Sequence, residues 1–167
     1  MEKSLERLKF GELFTLQLKG ALAREKRERE KAPVLQFKEK EIKDLVATLP
    51  FKLTDAQRQA AWDIIKDLGQ SIPTNRLLSG DVGSGKTIVA ALALYNTVLN
   101  FHQGVFLAPT EILAVQHFES LKKILPPGLN IAVFTRSQAR LFGELGECGM
   151  AKNDLLKKIK NAEVNII

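Results

Sequence analysis

The stretch GDVGSGKT, Gly80 to Thr87, restricts this chain more than any other. It satisfies the pattern Gly-x-x-x-x-Gly-Lys-Thr in full. Arg76-Leu77-Leu78 before it reads as a short apolar strand, and residues 86–101 after it read as a helix. Glycines permit backbone conformations in which successive N–H groups point at one spot. A helix that starts at that spot adds its positive end. The fold must therefore place a strand, a tight turn and a helix in that order.

The group that such a turn suits is a phosphate chain. Lys86 sets a cation beside the β and γ phosphates, and the Thr87 hydroxyl ligates the Mg²⁺ carried by ATP. The candidate nucleotide contacts are Gly80, Asp81, Val82, Gly83, Ser84, Gly85, Lys86 and Thr87. Lys86 and Thr87 are the candidate catalytic groups among them.

The rest of the chain fits around this turn. Residues 1–32 read as one long helix, with Leu5, Leu8, Leu13, Leu16 and Leu22 at near-helical spacing and a charged second half, AREKREREK. A short helix near 39–48 leads to Leu49-Pro50. Residues 54–68 form an amphipathic helix with Ala60, Ala61, Ile64, Ile65 and Leu68 inward. Strands are expected at 104–108 (GVFLA), 131–134 (IAVF) and 164–167 (VNII), with helices at 110–125 and 153–161; 141–150 reads as a loop. Strands alternating with helices imply right-handed crossovers and a parallel sheet covered on both faces. The expected class is α/β, a P-loop NTPase sheet with flanking helices after a long N-terminal helix. The expected division is a helical linker over 1–48 and a motor domain over 49–167.

The formal net charge of +6 fits an anionic partner such as nucleic acid, and equally a plain lysine-rich surface. A single cysteine, Cys148, excludes an internal disulfide and fits a reducing compartment. The apolar run 88–95 is too short to span a bilayer. The expectation is a cytoplasmic chain that does not engage membranes.

Two further stretches carry chemistry. Thr54-Asp55-Ala56-Gln57 fits a capping box, with Thr54 capping the helix and Gln57 reaching back. Phe51-x-Leu53-Thr54-x-x-Gln57 also resembles the adenine-recognising Q motif of superfamily 2 helicases, since an amide can donate to and accept from adenine at once. Phe51 and Gln57 therefore join the candidate nucleotide contacts. Asn75-Arg76-Leu77-Leu78, GDVGSGKT and APTEILAVQH (Ala108 to His117) together resemble the RecG family of bacterial ATP-dependent helicases. RLKFGELFTLQLKGAL, from Arg7, is similar to that family's helix between its DNA-wedge and first motor domains. The resemblance implies a RecA-like motor that remodels stalled forks and branched junctions, bacterial and monomeric. It also implies DNA contacts at Pro109, Thr110, Glu111 and Gln116. Read without it, Pro109-Thr110-Glu111 is simply a well-capped helix start.

The chain departs from that family at two places, one of them 141–150, which has no clear counterpart there and reads as a loop insertion or divergent region. Thr135-Arg136-Ser137 stands where the family usually has Thr-Gly-Ser, so Arg136 is a candidate phosphate contact of a different kind. The acids after Lys86 are Glu111, Glu119, Glu144, Glu147, Asp154 and Glu163, and none follows an apolar strand. Hydrolysis needs an acid there to hold Mg²⁺ and another to position water. In the family pattern that acidic pair lies beyond Ile167. The expectation is a C-terminally incomplete motor, marginally stable and aggregation-prone, that grips ATP without hydrolysing it. The alternatives are a non-catalytic nucleotide- or DNA-binding module and a small P-loop kinase.

Overall fold

Helix formers run almost without a breaker through the first part of the chain, and they build α1, Glu2–Glu28. The computed structural model describes residues 2–167. Met1, and the side chain of Leu5 in the apolar series, lie outside the described residues. The helix ends at Glu28 rather than at Ala32, whose N–H donates to the Ser71 carbonyl at 2.8 Å. Side chains from Glu6 through Lys26 are exposed, including Leu8, Leu13, Leu16 and Leu22.

The remaining helices bury one stripe each. α2, Glu39–Thr48, turns Ile42 and Leu45 inward. α3, Asp55–Leu68, begins on the capping box that its sequence predicts: the Thr54 side chain accepts from the Gln57 N–H, and the Gln57 side chain accepts from the Thr54 N–H. α4, Lys86–Leu99, is apolar on most sides and lies at the centre, with Val89, Ala91 and Leu92 almost fully buried. α5, Glu111–Ile124, is capped by Thr110 and sets Phe118 and Leu121 in the core. α6, Lys152–Lys160, buries Leu155 completely.

The sheet has a parallel part and an antiparallel part. Residues 165–167 lie between two parallel neighbours. On one side the Gly104 N–H donates to Asn165 (2.9 Å), Ile167 to Gly104 (3.0 Å) and Phe106 to Ile167 (2.7 Å). On the other side Ala132 donates to Ile166 (2.8 Å). The expected parallel pairing is thus present, although 104–108 pairs only over 104–106 and Leu107 is exposed. β1, Ile131–Phe134, then carries β2, Ala139–Gly143, and β3, Gly146–Gly149, as an antiparallel extension in the order β1-β2-β3.

Alternation along β1 sends its side chains to two cores. Ile131 and Val133 join α2 to α5, and Ala132 joins Ala139, Leu155 and Val164 under α6. Helices therefore cover both faces, as an α/β layering requires.

Two sequence expectations need correction. Residues 141–150 are not a loop but the greater part of the β2–β3 hairpin. Gly143 pairs with Gly146 across a two-residue turn, and Gly146 has φ +90°, which an L side chain rarely adopts. Arg76-Leu77-Leu78 is not a strand: it pairs with no strand among the described residues, and Leu77 is 93% exposed. It is held instead by Arg76, which forms an ion pair with Asp67 of α3 and keeps that carboxyl below its ordinary range.

Charge fastens the hairpin to α5. Lys122 donates to Glu119 (2.8 Å) and Glu147 (2.5 Å), and Arg140 donates to Glu147 (2.7 Å). The Lys122 ammonium also lies 4.9 Å from the Phe118 ring centre. The hydrogen bond from Lys122 holds the Glu147 carboxyl below the usual glutamate range, against the opposing effect of burial. Because the folded value is depressed, this contribution is present above the unfolded value and is lost as pH falls through the folded one. The melting temperature should therefore fall on acidification more steeply in the wild type than in Glu147→Gln. Parallel acid limbs in thermal melts of the two proteins would contradict this.

Candidate functional site

The turn before α4 is shaped by two glycines. Gly83 has φ +80° and Gly85 has φ +82°. Gly85 is the N-cap of α4 and offers no side chain, so no side-chain cap bonds the first turn of α4. A Cβ on Gly80 would come within 2.8 Å of the Ser84 hydroxyl oxygen, and one on Gly85 would fall on the Gln57 amide nitrogen. A Cβ on Gly83 would meet open space. Asp81, Val82, Gly83 and Ser84 are all exposed at the rim.

Lys86 folds back over this turn. Its ammonium donates to the Gly80 and Asp81 carbonyls, both at 2.8 Å, and lies 3.5 Å from the Ser84 hydroxyl. It is in no ion pair among the described residues, so its charge is balanced only by carbonyl dipoles. Thr87 is half-buried in the first turn of α4 beside it. An incoming phosphate has donors from three sources here: loop N–H groups, the α4 N-terminus and the Lys86 ammonium.

Gln57 binds the neighbouring helix to the turn. Its Oε1 accepts from the Thr54 N–H at 2.9 Å, while its Nε2 donates to the Ser84 carbonyl at 2.9 Å. One side chain therefore serves as helix cap and loop clasp. The amide keeps one N–H and one carbonyl lone pair beyond these two bonds. Phe51, just before the cap, is exposed.

A second group gathers at the carboxyl ends of the strands. A groove of about 390 Å³ runs between residues 105–111 and 131–136, and its lining includes Pro109, Thr110, Glu111 and Arg136. Ligands of open α/β sheets bind at this edge. The Glu111 carboxylate accepts from the Ser137 hydroxyl and from the Ser137 N–H at 3.2 Å, and those bonds hold it below its ordinary range. Lys152 of α6 donates to the Arg136 carbonyl. The loop is thus tied at both ends while the Arg136 side chain remains exposed and bonded to no side chain among the described residues. Gln116 lies further along α5, exposed and outside the groove. His117 packs on Phe106, with ring centres 4.5 Å apart. Lys152 and Ser137 escape a reading of the sequence because nothing local marks a lysine or serine as a partner of a distant loop.

Each acid after Lys86 has a partner outside the turn, apart from Glu144 in the exposed hairpin turn. Glu111 holds Ser137, Glu119 and Glu147 hold Lys122, Asp154 pairs with Lys157 (3.1 Å), and Glu163 pairs with Lys158 (2.7 Å). Among the described residues no group of three or more His, Cys, Asp or Glu can hold a metal ion.

The model of the DEAD/DEAH box helicase family matches residues 54–167. The chain belongs to the DEAD/DEAH box helicase family. Among the relatives of this chain are ATP-dependent DNA helicases RecG. That of Aquifex aeolicus is 44% identical over 133 residues, covering 79% of the chain and 17% of the relative. That of Streptococcus pneumoniae is 37% identical over 167 residues, covering 99% of the chain and 23% of the relative. A solved structure of RecG bound to a three-way DNA junction superposes with a TM-score of 0.76 at 33% identity, over 96% of this chain and 21% of that one. The chain spans about a fifth of the length of the relatives it matches. The fold is like that of the helicase region it matches. Among the described residues no helix is long and apolar enough to cross a membrane.

The two glycines of the turn make different demands. Gly83→Ala and Gly85→Ala each force an L side chain into the left-handed region, at roughly 1–3 kcal/mol. Only the Gly85 change also displaces the Gln57 amide. Titration with a fluorescent ATP analogue should show a larger loss of affinity for Gly85→Ala. Equal losses would remove the Gln57 clasp from the account.

Proposed function

We propose that this helicase chain is the nucleotide-gripping front of the first motor domain of a RecG-type translocase acting on branched or forked DNA. The observation that supports it best is the glycine turn, with Lys86 folded over it and Gln57 clasped to it. In this reading Gly80 to Thr87 hold the phosphates, and Phe51 and Gln57 meet the adenine through the amide's remaining N–H and lone pair. Residues 49–167 are the motor portion. Residues 1–48 are a helical linker, whose α2 packs on the motor core.

Mg²⁺ fits the site through one protein group, the Thr87 hydroxyl, with the phosphates of ATP supplying the other oxygens. When bound, it neutralises phosphate charge. The described residues offer no carboxylate cluster to complete its shell. The chain by itself therefore binds ATP and does not turn it over. That commitment of the acids to other partners also supports the second reading, a nucleotide- or DNA-binding module that acts without catalysis.

The names of the relatives support DNA as the partner, and the structural neighbour was solved on a three-way DNA junction. Pro109, Thr110, Glu111, Gln116 and Arg136 line or flank the edge we assign to a DNA strand. Glu111 acts there by holding the loop rather than by touching phosphate, since its carboxylate is already engaged. We place the protein in the bacterial cytoplasm, as a monomer.

Calorimetry with ATP and Mg²⁺ tests the grip. Lys86→Ala should lose roughly 1.5–3 kcal/mol, about ten- to a hundredfold in affinity. No binding by the wild type would overturn the nucleotide reading. Steady phosphate release that Lys86→Ala abolishes would overturn the claim that the chain does not hydrolyse ATP. For DNA, Arg136→Ala should lower the slope of log affinity against log salt by about 1, as loss of one phosphate contact does. An unchanged slope would remove Arg136 from the DNA edge.

A further inference from the structure

Near the end of the largely apolar α4 stands Asn96, and one turn later Asn100 is the C-cap of the helix. Asparagine is a poor helix former, and Asn96 is completely buried. Their amides explain the choice. Asn100 Oδ1 accepts from the Gln36 N–H at 2.9 Å, and Asn100 Nδ2 donates to the Gln36 carbonyl at 2.8 Å. Asn96 Oδ1 accepts from the Lys38 N–H at 3.0 Å. The two side chains thus do for residues 36–38 what a neighbouring strand would do.

The same segment is tied to α3. The Leu35 N–H donates to the Leu68 carbonyl at 3.0 Å, and the Leu35 side chain is buried. Phe37 packs edge-on against Trp62 of α3, with ring centres 5.2 Å apart. Ala32 is fixed to Ser71 just past the helix end. Residues 32–38 therefore form a strap across the C-terminal ends of α3 and α4. The N-terminal ends of those two helices make the nucleotide site: Gln57 from α3, and Lys86 and Thr87 from α4. The helices pack along their lengths into the common core.

We infer that α3 and α4 act as paired struts that transmit nucleotide binding to the strap, and that Asn96 and Asn100 are the positioning residues of this coupling. The strap is what leads to α1, whose side chains from Glu6 through Lys26 are exposed. A shift of the strut ends re-aims that helix. Asn96 Nδ2 adds a second observation: it is buried and has no hydrogen-bond partner among the described residues. A buried unpaired donor carries a cost and calls for a reason. A second seating of the strap, with one of its carbonyls on that N–H, removes the cost and supplies the alternative state that a coupling device needs.

This inference rests on the nucleotide reading of the glycine turn, so the experiment measures both. Hydrogen exchange of residues 32–38, and tryptic cleavage between Arg24 and Lys31, are followed in the whole chain with and without a non-hydrolysable ATP analogue. Nucleotide affinity is titrated in parallel. In the wild type the analogue should change strap exchange on the order of 5- to 150-fold, the usual range of coupling between sites. In Asn100→Ala, a half-exposed and mild change, the strap should lose its response to bound nucleotide. By reciprocity, affinity should then shift by no more than the factor seen in the wild type. Strap exchange unaffected by bound nucleotide in the wild type overturns the inference, and this arm needs no variant to fold. An unaltered response in Asn100→Ala overturns the role of the asparagines. Failure of the analogue to bind at all removes the nucleotide reading and the inference with it.

Discussion

α4 begins without a side-chain cap, and the rest of the structure is arranged around that unfinished end. The first N–H groups of a helix need acceptors, and Gly85 brings no side-chain oxygen to supply one. A serine or aspartate there would close the helix on itself. It would also put a Cβ into a left-handed backbone and against Gln57. The glycine leaves the donors open to an anion, and the core beneath must hold α4 in place without help from its start. Ile88, Val89, Ala91 and Leu92 do this, buried among α3, α5 and the sheet.

The capping of α3 is the complement of that open end. Thr54 and Gln57 satisfy the start of α3 between them, and the spare amide hydrogen of Gln57 reaches the turn before α4. One helix is completed so that it can steady another that is not. The strand ends repeat the idea, with Glu111 completing the Ser137 loop while Arg136 is left outward.

Much of this was legible in the sequence because the signals were local. The glycine turn, the Thr54–Gln57 box, the Thr110 cap and the helical periods each lie within a few residues, and each appears where its pattern points. The β2–β3 hairpin is not legible because the three glycines of 141–150, Gly143, Gly146 and Gly149, suit a loop as well as a tight turn. The use of Gly143 and Gly146 is a tight turn and, at Gly143, close approach to Asn130. Arg76-Leu77-Leu78 has the composition of a strand, but a strand exists only with a partner, and composition does not reveal whether one is present. Glu111–Ser137, Lys152–Arg136 and the asparagine pair join residues far apart in sequence, where no spacing rule applies.

The placement of residues 165–167 has a consequence for the order in which the sheet can assemble. They enter between residues 104–106 and β1 rather than adding at an edge, and 104–106 has no other sheet partner among the described residues. Pairings of such wide sequence separation form slowly, because much chain must be closed before any bond is gained. On a ribosome, α2 to α5 and the hairpin would emerge and collapse first. The gap between the parallel strands would stay open until the last of these residues left the exit tunnel. The nucleotide helix would then be built early, on parallel pairings that form late.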